Sequence, residues 1–101
     1  MGFMAHLRLF DIYGKTEWVG FTAQDASEAA LQACMQHDMS RAQGILLIVT
    51  LSMSCNIVDA VKRALAVAHQ QAPVEIETGL LVAYDESLED RVKVEMLLVG
   101  M

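Results

Sequence analysis

Three hydroxyls, a thiol and a carboxamide are gathered between positions 50 and 56: Thr50, Ser52, Ser54, Cys55 and Asn56. If the apolar run before them is a strand, alternate side chains share a face, so Thr50, Ser52 and Ser54 point the same way. Asn56 is a favourable helix N-cap, with Asp59 three residues on. The free N–H groups and the dipole of a helix start can hold an anion. The same dipole lowers the pKa of a thiol placed there and favours its thiolate. Two chemistries follow: a small anionic ligand held by Thr50, Ser52, Ser54, Cys55 and Asn56, or a small enzyme using Cys55 as nucleophile. The plainer alternative is a strand end leading into a capped helix, with no ligand. No Gly-rich phosphate loop is present and no base adjoins Cys55, so no catalytic residue is assigned.

Other reactive residues point to structural roles. His6, His37 and His69 have no metal-ligand spacing, and neither a metal nor a cofactor is expected. Asp85, Glu86, Glu89 and Asp90 lack the alternating oxygen ligands and central Gly of a calcium loop and read as a solvated loop. Cys34 and Cys55 form no CxxC pattern, which suits reduced thiols in a cytoplasmic protein. The N-terminus shows no secretory leader pattern. Phe10, Trp18, Phe21 and Tyr84 suit a pocket lining or ordinary packing equally.

The elements that must position these residues follow from periodicity. Ile45–Val49 is a short apolar run opened by Gly44 and closed by the Ser52–Asn56 cluster, which predicts a buried strand. Its faces are Ile45, Leu47, Val49, Leu51 and Met53 against Leu46, Ile48, Thr50, Ser52 and Ser54. Both begin apolar, so the strand is expected at the centre of the sheet. Met4–Tyr13 and Thr16–Phe21, around Gly14-Lys15, predict a hairpin. Thr22 with Asp25 resembles a capping box opening a helix to about Asp38, with Ala23, Ala26, Ala30, Ala33, Cys34 and His37 on the inner side. Asn56 opens a second helix, Ile57–Gln71, with Ile57, Val58, Val61, Ala64, Leu65, Ala68 and Ala72 inward and Pro73 ending it. Val74–Tyr84 and Arg91–Val99 alternate and predict a second hairpin. A helix from Ser87 is the rival reading, since Leu88, Val92 and Met96 recur every fourth residue.

These elements sum to a single α+β domain over 1–101, a two-layer sandwich with a mixed, mostly antiparallel five-stranded sheet and two helices in the order β-β-α-β-α-β-β. The 101 residues are 54% apolar, above the usual range of about 45–50%. That excess predicts a homo-oligomer, most simply a dimer. Leu31 and Met35, one turn apart among polar residues, with Met39 a step further, are the expected contact. The net charge of −6 argues against non-specific nucleic-acid binding, which needs a basic patch, and no apolar run approaches the roughly 20 residues of a membrane span. The resulting expectation is a non-enzymatic, self-associating binding module.

Overall fold

The computed structural model describes residues 16–72 and 76–100. The elements run β1 (Thr16–Ala23), α1 (Ala26–Cys34), β2 (Gly44–Leu51), α2 (Ile57–Gln71), β3 (Glu77–Tyr84) and β4 (Val92–Val99), with 3₁₀ turns at Met39–Arg41 and Glu86–Leu88. The spatial strand order is β1-β4-β2-β3. β4 is antiparallel to β1 and to β2, whereas β3 runs parallel to β2.

This corrects the expected topology. The described residues form a four-stranded mixed sheet in the order β-α-β-α-β-β, not a five-stranded, mostly antiparallel one. The predicted Met4–Tyr13 strand lies outside the described residues. β3 and β4 do not form a hairpin, because β4 inserts between β1 and β2 and leaves β3 at an edge. The reason lies in which strands need cover. In β4, Val92, Val94, Met96 and Leu98 are buried on one face and Val99 on the other. Apolar residues on both faces suit a central position. β3 is apolar only over its second half, after Glu77, Thr78 and Gly79, so it demands less cover than β4 and takes an edge. A helix between two strands returns the chain to the same end of the sheet, which makes β2 and β3 parallel.

One face of the sheet carries Val19, Ile45, Leu47, Val49, Leu51, Val92, Val94, Met96 and Leu98 into a single core with both helices. The helices approach closely because they present alanines: Ala26, Ala29, Ala30 and Ala33 from α1, and Ala60, Ala64 and Ala68 from α2. Fully burying a Leu or Val stabilises by about 1.5–3 kcal/mol, so this face dominates the folding energy. The apolar stripe of α2 is narrower than its sequence pattern predicts. Ile57, Val61 and Leu65 are only partly buried, and Val58 points outward.

The helix α1 begins later and ends earlier than expected. Thr22 belongs to β1, paired with Lys93. Asp25 alone is the cap, its Oδ1 accepting from the Ser27 N–H at 3.1 Å. After Cys34 the chain is committed elsewhere. Gln36 Oε1 accepts from Gly20 N–H at 3.1 Å and its Nε2 donates to Gly20 O at 2.6 Å, so one carboxamide takes the place of a strand neighbour at β1. Asp38 caps the next turn through Ser40 N–H, and His37, expected on the inner face, is exposed beside Glu17.

Candidate functional site

The Ser52–Asn56 turn lies where the C-terminal end of β2 meets the start of α2. β3 ends on one side of β2 and β4 begins on the other. The 85–91 connection must therefore cross the end of β2, over this turn. The parallel register, Leu51 beside Tyr84, brings the residues after both strands together. Asp85 N–H donates to Leu51 O at 3.1 Å at the start of the crossing.

At this crossing the turn receives an anion from the chain itself. Ser52 is buried, and its Oγ donates to Glu86 Oε1 at 2.9 Å. Met53 N–H donates to Glu86 Oε2 at 2.8 Å. Ser54 N–H donates to Ser52 Oγ at 3.3 Å, and the two serine hydroxyls lie 3.0 Å apart. Cys55 Sγ donates to Glu89 O at 3.5 Å. Asn56 Oδ1 accepts from Asp59 N–H at 3.1 Å as the cap of α2, and Thr50 is buried at the end of β2. The structure thus brings Ser52, Ser54 and Cys55 under one loop, with Asn56 committed to its helix. Sequence reasoning missed Glu86, which it left among solvated loop acids. The signal that would have found it is the parallel pairing of β2 and β3, hidden by the expected hairpin.

Beside the turn, a cleft of about 330 Å³ opens between the N-termini of the two helices, lined among others by Gln24, Asp25, Cys55, Asp59, Arg63 and Asp90. Its one cation is already paired. Arg63 Nε lies 2.8 Å from Asp59 Oδ2, and Arg63 Nη1 lies 3.7 Å from Asp25 Oδ1. Gln24 Nε2 reaches Asp90 Oδ2 at 3.5 Å. The surplus of carboxylates makes the cleft unsuited to an anion. Among the described residues no group of three His, Cys, Asp or Glu side chains is placed to hold a metal ion. His69 Nε2 lies 3.3 Å from Thr78 Oγ1, a structural contact between α2 and β3.

Cys34 and Cys55 are both free thiols. Burial pushes the Cys34 thiol up to about 11, so it stays neutral and unreactive. In the crossing loop, the hydroxyl of Ser87 and then its N–H hold the Asp85 carboxyl below its usual value. Ser87 Oγ donates to Asp85 Oδ1 at 2.6 Å.

The second surface of note is apolar. On the helix-side face of β3, Leu80, Val82 and Tyr84 are 38%, 36% and 54% exposed, and Val58 on α2 is 60% exposed. A groove of about 390 Å³ lies between α2 and β3 at Val82, lined by Ile57, Val58, Val61, Lys62 and Val82. The residues expected at an interface lie elsewhere. Leu31 and Met35 are exposed on α1, and Met39 is buried in the core. Trp18 and Phe21 on β1 line one depression with Gln36, Lys93 and Glu95, whereas Tyr84 on β3 lies at the opposite edge of the described sheet and takes no part in it. Phe10 and His6 lie outside the described residues.

A mixed four-stranded sheet with two helices packed into one core defines an α+β fold, and this arrangement recurs in solved structures. An empty FtsZ dimer from M. jannaschii superposes with a TM-score of 0.83 at 18% identity, over 97% of this chain and 30% of that one. CetZ2 from Haloferax volcanii, a GTPγS-bound protofilament, gives a TM-score of 0.61 at 15% identity, over 96% of this chain and 32% of that one. TubZ of Bacillus thuringiensis serovar israelensis, as GDP-form protofilaments, gives 0.64 at 9% identity, over 85% of this chain and 25% of that one. The chain therefore shares its fold with about a third or less of each of these longer chains. No protein-family model and no curated protein matches the sequence. Among the described residues no helix is long and apolar enough to cross a membrane.

Proposed function

We propose that this chain is an interaction module that associates with a second copy of itself across the apolar flank of β3 and α2. The observation that carries this reading is the joint exposure of Val58, Leu80, Val82 and Tyr84 around the Ile57–Val61 groove. A contiguous exposed apolar patch marks a contact surface, and an edge strand with little charge favours pairing with another chain. The only charged residue in β3 is Glu77, at its first position. Laid antiparallel against a second β3, each Glu77 meets the far, uncharged end of its partner, so the two strands pair without opposing like charges, and Lys62 at the rim of the groove is the one cation the contact must leave in water. Such a self-complementary patch gives a closed dimer. The dimeric and filamentous neighbours support self-association as a use of this fold.

Sedimentation velocity across the micromolar range tests it. The wild-type chain is expected to be a dimer and Val82→Glu a monomer. Met35→Glu, on the α1 surface, is expected to leave the dimer intact. A wild-type monomer overturns the reading. A dimer broken by Met35→Glu and not by Val82→Glu moves the contact to Leu31 and Met35.

A further inference from the structure

The 85–91 connection is tied down at several points, and the ties differ in kind. At its start, Asp85 N–H is fixed to the end of β2 through Leu51 O. In its middle, Leu88 is buried and Glu86 reaches back to Ser52 and Met53. Beyond that, Glu89 adopts φ 57° and ψ −112° without being a glycine. A side chain at that φ crowds its own backbone, so the conformation persists only while its surroundings enforce it. The contacts that enforce it are few: Glu89 N–H to Glu86 O, Arg91 N–H to Leu88 O, the weak thiol bond from Cys55 to Glu89 O, and the long contact of Gln24 Nε2 with Asp90 Oδ2 at 3.5 Å. The following residue, Asp90, forms a wall of the cleft between the helix N-termini, and Cys55 forms another part of it.

We propose that the 85–91 connection is a strap held shut by the Glu86 carboxylate, and that releasing this latch opens the cleft between the N-termini of α1 and α2. A carboxylate accepting from both a hydroxyl and a backbone N–H makes charge-assisted bonds, and those of Glu86, unlike the Asp85–Ser87 pair inside the loop, tie the loop to the β2–α2 turn. Losing it leaves the strap anchored at Asp85, by the buried Leu88 and at β4, with the strained Glu89 beyond Leu88 held only by weak contacts and free to relax. Relaxation there moves Glu89 O and Asp90 away from Cys55. The device concerns the polar end of the molecule and does not depend on association through β3.

Alkylation by iodoacetamide, followed by mass spectrometry of the intact chain and its fragments, reads the latch through Cys55, with Cys34 as an internal reporter of the folded core. Glu86→Gln keeps the side-chain shape, removes the charge and puts an NH₂ donor where either the Ser52 hydroxyl or the Met53 N–H needs an acceptor. Cys55 is then expected to alkylate roughly tenfold faster than in the wild type, the factor that follows from losing charge-assisted bonds, while Cys34 stays protected. An unchanged Cys55 rate overturns the proposal. If Glu86→Gln also exposes Cys34, the core has been lost and Ser52→Ala decides. This milder variant removes one of the two donors, and a wild-type Cys55 rate with Cys34 protected overturns the proposal in the same way.

Discussion

The polar turn at Ser52–Asn56 and the apolar flank of β3 and α2 make opposite use of their chemistry. The turn holds the residue types of a binding site, yet its hydroxyls and N–H groups are engaged by Glu86, Asn56 and one another. The flank holds unremarkable aliphatic residues, yet Val58, Leu80 and Val82 remain open to water. Residue type therefore says less about a site than whether the fold has left the residue unsatisfied. A buried donor must find an acceptor when the chain folds, so a polar cluster near a carboxylate tends to be consumed internally. An apolar edge strand is left open because the sheet has no further strand to offer it among the described residues.

Substitutions that act on one region and spare the other sharpen this contrast. The largest effect is expected from Val82→Glu, which places a charge at the centre of the apolar flank. A hot-spot loss of about 2 kcal/mol or more is a roughly 30-fold weakening, read as the dimer dissociation constant by sedimentation, with the thermal midpoint of the monomer nearly unchanged. Glu86→Ala should do the reverse. It is expected to cost about 2 kcal/mol of unfolding free energy, because hydrogen bonds to a charged group contribute about 1.5–3 kcal/mol, and to leave association intact. Urea denaturation at a concentration below dimer formation measures it. A dimer that weakens as much as the monomer destabilises would show that the two regions are coupled.

Smaller effects follow at the same polar end. Asn56→Ala removes the cap of α2 and is expected to cost about 1 kcal/mol, seen in the same denaturation experiment. Asp85 gives an effect confined to acid. Its folded pKa lies below the ordinary value of 3.8, held there first by the Ser87 hydroxyl and then by the Ser87 N–H. A depressed carboxyl contributes stability above its unfolded pKa and loses it as pH falls through the folded one. Exchange protection of the Ser87 amide should therefore hold from neutral pH down to about pH 4 and fall below it, and Asp85→Asn should remove that dependence. Cys34 carries the opposite sign. With its pKa raised from 9.0 to about 11, its burial costs nothing below pH 9 and destabilises the fold as pH rises through that interval.

Much of the architecture was legible locally. The Ile57–Gln71 helix and its Asn56 cap were readable, because capping chemistry and a 3.6-residue period act within a few residues. The buried β2 run was readable for a similar reason, and so was the alternation of β4, whose Val92, Val94, Met96 and Leu98 all face the core. The expected start of α1 at Thr22 fails because Thr22 pairs with Lys93 in the sheet, which makes its expected capping-box partner, Asp25, the cap instead. Its end was misplaced because the pull on Gln36 comes from Gly20, far away in the chain.

The sequence by itself determined the two helices, the strand runs at β1, β2, β3 and β4, the alanine-rich face of α1, and the apolar excess. The tertiary structure alone decided strand order, the satisfaction of Ser52 by Glu86, and which apolar residues stay exposed. The physical reason is range. Propensity, capping and periodicity are set by neighbours along the chain. Pairing β3 with β2, and threading β4 between β2 and β1, is chosen by which arrangement hides the most apolar surface of all the elements together. That choice carried the 85–91 loop over the Ser52–Asn56 turn and left Val58, Leu80 and Val82 facing outward.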